Sequence, residues 1–324
     1  MCSSRIIIGT SLVGVALNAA AQSYPAKPIR MILPYPAGGP VDIIARPIAQ
    51  KLTEAWGQPA LLDARPGGGA TIGTDLVAKA PADGYTLLLT TGQHAVNPAI
   101  YPKLPFDTAH DFAPVSWFVS APLILVTHPS LPAKNVRELI GLARARPAQL
   151  LYGSGGNGST FHLAGELFKI MAQVDMTHVP YKGGAPATAE LVGGHVGLVF
   201  NSIISSIPHM QSGRILALAI TTAKRSTLVP EVPTIAESGA QSGLAGYDVE
   251  TWYGALAPAA TPRDIIDKLA GEFDRILKQP DMRERTRAQG AETRGGRAED
   301  FAARIATDLE KWAKVARVAG VKVD

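Results

Sequence analysis

The sequence predicts an α/β protein organised as two domains, and three observations lead there. Short apolar runs alternate with amphipathic ones along the chain, as strands alternate with helices in α/β folds. At 324 residues the chain is longer than one core comfortably serves. Four glycine-rich segments each stand between a strand pattern and a helix pattern, in a chain with 32 glycines and 25 prolines.

In chain order, Ile29–Leu33 reads as a strand. A helix follows on Ile44, Ile48, Leu52 and Trp56, which recur every four residues, with a kink expected at Pro47. Ala60–Leu62, Tyr85–Leu89 and Leu123–Thr127 read as further strands. Asn135 and Glu138 form a variant capping box for a helix that ends near Arg146. Leu150–Tyr152 is a strand, and the next helix buries Leu163, Leu167, Ile170 and Met171. Met176–Tyr181, Val196–Phe200 and Ile215–Ile220 are strands, with a short helix expected over Ser206–Ser212. Thr251–Leu256 is the last strand. Pro262 then opens a helix at its first position, with Ile265, Leu269, Phe273 and Ile276 as its buried stripe. Phe301, Ile305, Leu309 and Trp312 mark the final helix, stopped by Gly320. No internal repeat is legible.

Composition excludes several classes. With 46% hydrophobic residues the chain is not disordered. Its net charge of +4 is mild, and acidic residues interleave the basic ones between Arg283 and Arg317, so no one-signed face for nucleic acid is expected. Arg5, the apolar run Ile6–Leu17 and Ala19-Ala20-Ala21 read as a secretory signal peptide over residues 1–21. The single cysteine, Cys2, falls within it, so no disulfide is expected in the exported chain.

The four glycine-rich loops are Pro36-Ala37-Gly38-Gly39, Gly67 to Gly73, Gly153 to Ser159, and Lys182-Gly183-Gly184. Glycine allows backbone amides close to a ligand, and a helix start supplies free donors and the positive end of the dipole. Thr71, Ser154, Ser159 and Thr160 add hydroxyls. Such ends converging on one cleft would hold a carboxylate without a buried arginine; the alternative is four plain strand-to-helix connections.

Gly153-Ser154-Gly155-Gly156-Asn157-Gly158 also matches the dinucleotide fingerprint, but a lone match midway along an exported chain is weak. Neither G-x-S-x-G nor the phosphate-binding P-loop occurs, and no H-x-x-x-H pair supports zinc. No catalytic residue, metal or cofactor is therefore expected. His94, His162 and His195 lie near loops or helix ends, where structural roles compete with ligand contact.

These residues carry a resemblance. The chain resembles the Bug-type substrate-binding receptors of tripartite tricarboxylate transporters over nearly its whole exported length. The matching blocks include Tyr35 to Arg46, Ala80 to Leu88, Leu104 to Asp107, Tyr152 to Ser159, His162 to Leu167, Val179 to Gly183 and Trp252 to Gly254.

The resemblance implies a two-domain periplasmic binding protein, type II-like, with a ligand cleft between the domains. Residues 22–121 with 248–324 would form one domain and 122–247 the other. The implied function is capture of a small organic carboxylate in the periplasm and delivery to membrane transporter subunits by a monomer; a sensor or an enzyme on a carboxylated substrate are the alternatives. The candidate ligand-binding set is Tyr35, Pro36, Ala37, Gly38, Gly39, Asp42, Thr71, His94, Ser154, Gly156, Asn157, Gly158, Ser159, Thr160, Lys182 and Asn201. Val41 stands where the family usually has Ser or Thr, and Gly197 and Asn201 where many relatives carry Asp. These departures point to a simple or aromatic carboxylate rather than an amino acid.

Overall fold

In the computed structural model, residues 24–181 and 183–323 are described; the expected signal peptide and Lys182 lie outside them. The strands are β1 (Ile29–Leu33), β2 (Ala60–Ala64), β3 (Thr86–Thr91), β4 (Phe112–Thr127), β5 (Leu151–Ser154), β6 (Thr177–Pro180), β7 (Leu198–Ser202), β8 (Leu216–Ile220), β9 (Glu250–Pro258) and β10 (Glu292–Thr293). The helices are α1 (Pro40–Trp56), α2 (Thr71–Ala78), α3 (Gln93–Ile100), α4 (Val136–Ala145), α5 (Thr160–Ala172), α6 (Gly184–Val192), α7 (Ile203–Gln211), α8 (Ile235–Gly239), α9 (Arg263–Leu277), α10 (Pro280–Ala288) and α11 (Ala298–Ala319).

The sheet order is β2-β1-β3-β9-β4-β7-β5-β6, with β8 and β10 also on β4. β1 lies parallel between β2 and β3, and β5 lies parallel between β6 and β7. The path β1-α1-β2-α2-β3-α3 therefore recurs as β5-α5-β6-α6-β7-α7, a repeat of topology that the sequence does not display. In each block the chain leaves the central strand to one neighbour and then returns on its other side. A crevice opens outside the carboxyl ends of the strands at such a switch point.

β4 joins the blocks. Its residues up to Pro122 pair with β9, and from Leu123 onward it pairs with β7 and β8. Thr221 fastens this exchange: its hydroxyl accepts from the Leu123 amide and lies within bonding distance of the Leu123 and Val249 carbonyls. One apolar cluster runs through both halves, from Ile32 and Leu88 to Leu125 and Phe200, by way of Val96 and Ile100 of α3 and Trp312 and Val315 of α11. The other two clusters cover the outer faces of the two blocks.

Several local expectations shift. α1 continues through the buried Pro47 from Pro40 to Trp56, and Ile44 and Trp56 are only half-buried while Val41, Ala45 and Ala49 complete the inward face. Pro262 precedes α9 as its N-cap instead of opening it, and Ile266 is buried on the inward face while Ile265 is half-buried beside it. Asn135 caps α4 as expected, its side chain accepting the Glu138 amide at 2.9 Å. Among the described residues, no helix is long and apolar enough to cross a membrane.

Candidate functional site

All four glycine-rich loops run from a parallel strand to a helix: β1 to α1, β2 to α2, β5 to α5 and β6 to α6. They sit at the carboxyl ends of their strands, beside the two switch points. Two more connections share those ends, β3 to α3 and β7 to α7. Sequence reading passed over both, because their turns carry a single glycine or none.

In the first loop, Pro36, Ala37 and Gly38 are exposed and Gly39 half-buried. Asp42 lies beneath them, 2% exposed. Its carboxylate accepts the Gly38 amide at 2.6 Å and the Arg46 guanidinium at 2.7 Å. Burial pushes the Asp42 carboxyl up, but the Gly38 amide and Arg46 outweigh it and hold the group below its ordinary range. Asp42 therefore shapes the loop from below. The Tyr35 hydroxyl stands 3.0 Å from that of Thr91 and 3.3 Å from that of Thr90, joining this loop to the end of β3. Burial raises the Tyr35 phenol against those hydrogen bonds, so it stays neutral. In the second loop Thr71 spends its hydroxyl on the Gly68 carbonyl at 2.8 Å, and Asn97 of α3 donates to the Gly69 carbonyl.

The β5–α5 loop is tightly bonded within itself. Ser154 is fully buried; its hydroxyl lies 2.6 Å from His178 Nε2 and accepts the Gly156 amide at 3.2 Å. Ser159 caps α5 by accepting the His162 amide, and also donates to the Gly156 carbonyl. The Gly158 amide donates to His162 Nδ1 at 3.0 Å. The hydroxyls of Ser154 and Ser159 and the amides of Gly156 and Gly158, all candidate ligand donors, are thus committed to the loop. The opening amides of α5, at Thr160 and Phe161, have no acceptor one turn back. Asn157 stands exposed beside them.

The β6–α6 loop docks on this one, with the Tyr181 amide on the Ser154 carbonyl and the Gly183 amide on the Gly155 carbonyl. Asn201, at the end of β7, is 1% exposed and donates to the Thr188 hydroxyl. Its Oδ1 has no hydrogen-bond partner and lies where a side chain on Gly184 would project.

His94 stands apart from the loops. It is 3% exposed and edge-on to Phe112, with ring centroids 5.0 Å apart. Desolvation lowers its pKa to about 4 against a hydrogen bond with the Thr108 backbone, so the ring is neutral and packed in the core. Its place beside a helix start made it a candidate for ligand contact, and the structure buries it against Phe112. A cavity of about 500 Å³ nearby is lined by Pro98, Tyr101, Phe106, Thr108 and Leu309 and by none of the glycine loops.

Sequence reading missed Gln93. At the first turn of α3, its Nε2 donates to Asn97 Oδ1 at 2.7 Å and to the Gly158 carbonyl at 3.1 Å. It links the loops of the two blocks directly. Among the described residues, no group of three or more His, Cys, Asp or Glu is placed to hold a metal.

Comparison with known proteins agrees with this architecture. The family model described as "Tripartite tricarboxylate transporter family receptor" matches residues 44–321. Protein BugT of Bordetella pertussis is 37% identical over 320 residues, covering 98% of this chain and 96% of that protein. The solved structure of Rpa4515 from R. palustris with adipate superposes with a TM-score of 0.80 at 39% identity, covering 92% of this chain and 99% of that one. MatC from Rhodopseudomonas palustris, solved with bound malate, gives 0.76 at 30% identity, covering 90% and 99%. The chain belongs to the tripartite tricarboxylate transporter receptor family, and it has the two-domain periplasmic-binding-protein fold.

Proposed function

We propose that this protein is a periplasmic receptor that captures a small organic carboxylate between its two blocks and delivers it to membrane transporter subunits. The observation that carries this reading is the pair of switch points, each edged by a glycine-rich loop opening a helix. The opening amides of α1 and α5 offer donors and the positive end of a helix dipole to an anion. Adipate and malate in the related structures are ligands of the same chemistry. The ligand contacts would come from Tyr35 to Gly39, from Asn157 and Thr160, and from Lys182, with Asn201 as an acceptor at the cleft floor. Asp42, Ser154, Gly156, Gly158 and Ser159 would act by shaping the loops.

The two domains would divide near residues 121/122 and 247/248, where β4 changes partners and β9 is about to begin. The signal peptide over residues 1–21 and a monomeric state complete the reading. Among the described residues, the short contact between Ser154 and His178 is a feature that favours an enzyme. A fully buried hydroxyl has no path to a substrate, which argues for binding without chemistry.

Thermal melting against a panel of adipate, malate, citrate and benzoate tests the reading. A true ligand at a hundred times its Kd adds about 2.7 kcal/mol of stability. No shift with any acid of the panel would reject carboxylate capture, and turnover of a bound acid would restore the enzyme.

A further inference from the structure

We propose that the stacked imidazoles of His162 and His178 form a positioning clamp that sets the β5–α5 loop in its anion-binding geometry. The rings lie 3.7 Å apart and 9° from parallel. Each holds one end of the loop: His178 Nε2 meets the Ser154 hydroxyl at its start, and His162 Nδ1 accepts the Gly158 amide at its end. Ser154 in turn receives the Gly156 amide. Face-to-face stacking makes the two grips one unit, because neither ring turns without displacing the other.

The clamp works only in one protonation state. His162 Nδ1 must be bare to accept from Gly158, which puts its proton on Nε2, and two charged rings at 3.7 Å would repel. The surroundings keep both neutral. Desolvation first, then neighbouring Lys169, lowers His162 to about 4. Desolvation, His162 and Lys169 lower His178 to about 3, against the opposing pull of Glu166. The charged and titratable groups facing the pair are Glu166 and Lys169 of α5, Tyr152 of β5 and Lys322 of the C-terminal segment. Glu166 Oε1 takes Tyr152 at 2.5 Å and Lys169 at 2.9 Å, and stands 3.8 Å from His162 Nε2. A cavity of about 280 Å³ opens on both histidines, so protons reach them from solvent. The anion-binding part of this inference rests on the receptor reading above.

The test is NMR on the ligand-free protein, following the Gly158 amide and the four imidazole nitrogens with pH. At pH about 6.5 both rings are expected neutral, with His162 Nδ1 unprotonated and the Gly158 amide protected from exchange. That protection is expected to vanish together with ring protonation, below pH about 5. A charged ring near neutrality, or protection indifferent to ring charge, would overturn the clamp. Binding of adipate by His178→Phe, Ser154→Ala and the double variant gives a second readout. His178→Phe is expected to weaken binding about tenfold, Ser154→Ala by at least as much because it also frees the Gly156 amide, and the double no further than Ser154→Ala, since both break the Ser154–His178 hydrogen bond. Additive losses would overturn the proposal. Wild-type protein that ignores adipate and the other acids while keeping the NMR signature would reject carboxylate capture and leave the clamp standing.

Discussion

Gln93 Nε2 donates to the Gly158 carbonyl at 3.1 Å, and Gly158 packs closely against the end of the Ile100 side chain. A Cβ there would stand 2.1 Å from Ile100 Cδ1, and Gly158 has φ of +71°. One glycine therefore satisfies a left-handed turn and a close approach between the two blocks. Gly158→Ala is expected to destabilise by about 1–2 kcal/mol, chiefly through backbone strain at its positive φ, with Ile100 Cδ1 having to shift. Gln93→Ala loses two hydrogen bonds, to Asn97 and to Gly158, about 1–2 kcal/mol together, and frees the contact between the blocks. Urea unfolding measures the first; small-angle scattering of ligand-free protein, with a larger radius of gyration, measures the second. An unchanged radius would mean that Gln93 does not hold the blocks together.

That link also marks the limit of what the sequence discloses. Glycine-rich loops are legible because their requirements are local: a strand end, a turn and a helix start within about ten residues. Gln93 and Gly158 lie 65 residues apart, and nothing near either one announces the other. The same holds for Ser154 and His178, so hydroxyls that looked available for ligand are spent inside the loop. β4 was legible only from Leu123 onward. Pro114 and Pro122 interrupt its earlier residues, and register shifts at Pro114/Ser116 and Trp117/Val119 break the alternation that marks a strand. α3 escaped notice because it has only eight residues and contains Pro98.

Two buried histidines, His94 and His162, and the half-buried His178 predict an acid-labile fold. Burial lowers His94 and His162 to about 4 and His178 to about 3, from an ordinary imidazole value of 6.5. Between those values the unfolded chain binds more protons than the folded one. Stability is thus full above pH about 6.5 and declines as pH falls towards 4, by on the order of 3 kcal/mol for His94 alone. Urea unfolding at a series of pH values checks the slope. His94→Gln is expected to flatten it; a slope unchanged in that variant would assign the lability elsewhere.

Asp42 predicts how far the first loop depends on the residue beneath it. Asp42→Ala frees the Gly38 amide and leaves Arg46 without its carboxylate. The expected cost is about 1–3 kcal/mol of stability, with weaker binding of whichever carboxylate shifts the wild-type melt. Arg46→Ala should cost less than 1 kcal/mol, since its side chain is 66% exposed and water replaces the pair. Calorimetric titration of both variants separates the two effects. Equal losses would show that the charge pair, and not the Gly38 hydrogen bond, shapes the loop.

The crossing between the blocks rests on Asp308, whose Oδ2 accepts Trp252 Nε1 at 2.7 Å and Arg304 Nε at 3.0 Å. Arg304 also donates to Glu250 Oε1 at 2.6 Å, at the first residue of β9. α11 is thereby bolted to the strand that returns from the second block. Asp308 is 2% exposed, so its removal leaves a buried indole N–H without a partner and strips the mostly buried Arg304 guanidinium of one of its two carboxylates, Glu250 remaining. Asp308→Ala is expected to cost about 1–3 kcal/mol, the cost of a buried donor left unsatisfied. Asp308→Asn keeps an acceptor for Trp252 and should lose less. Equilibrium unfolding followed by tryptophan fluorescence reads both. A loss under 1 kcal/mol in the alanine variant would place the anchoring of α11 in the packing of Phe301 and Trp312 instead.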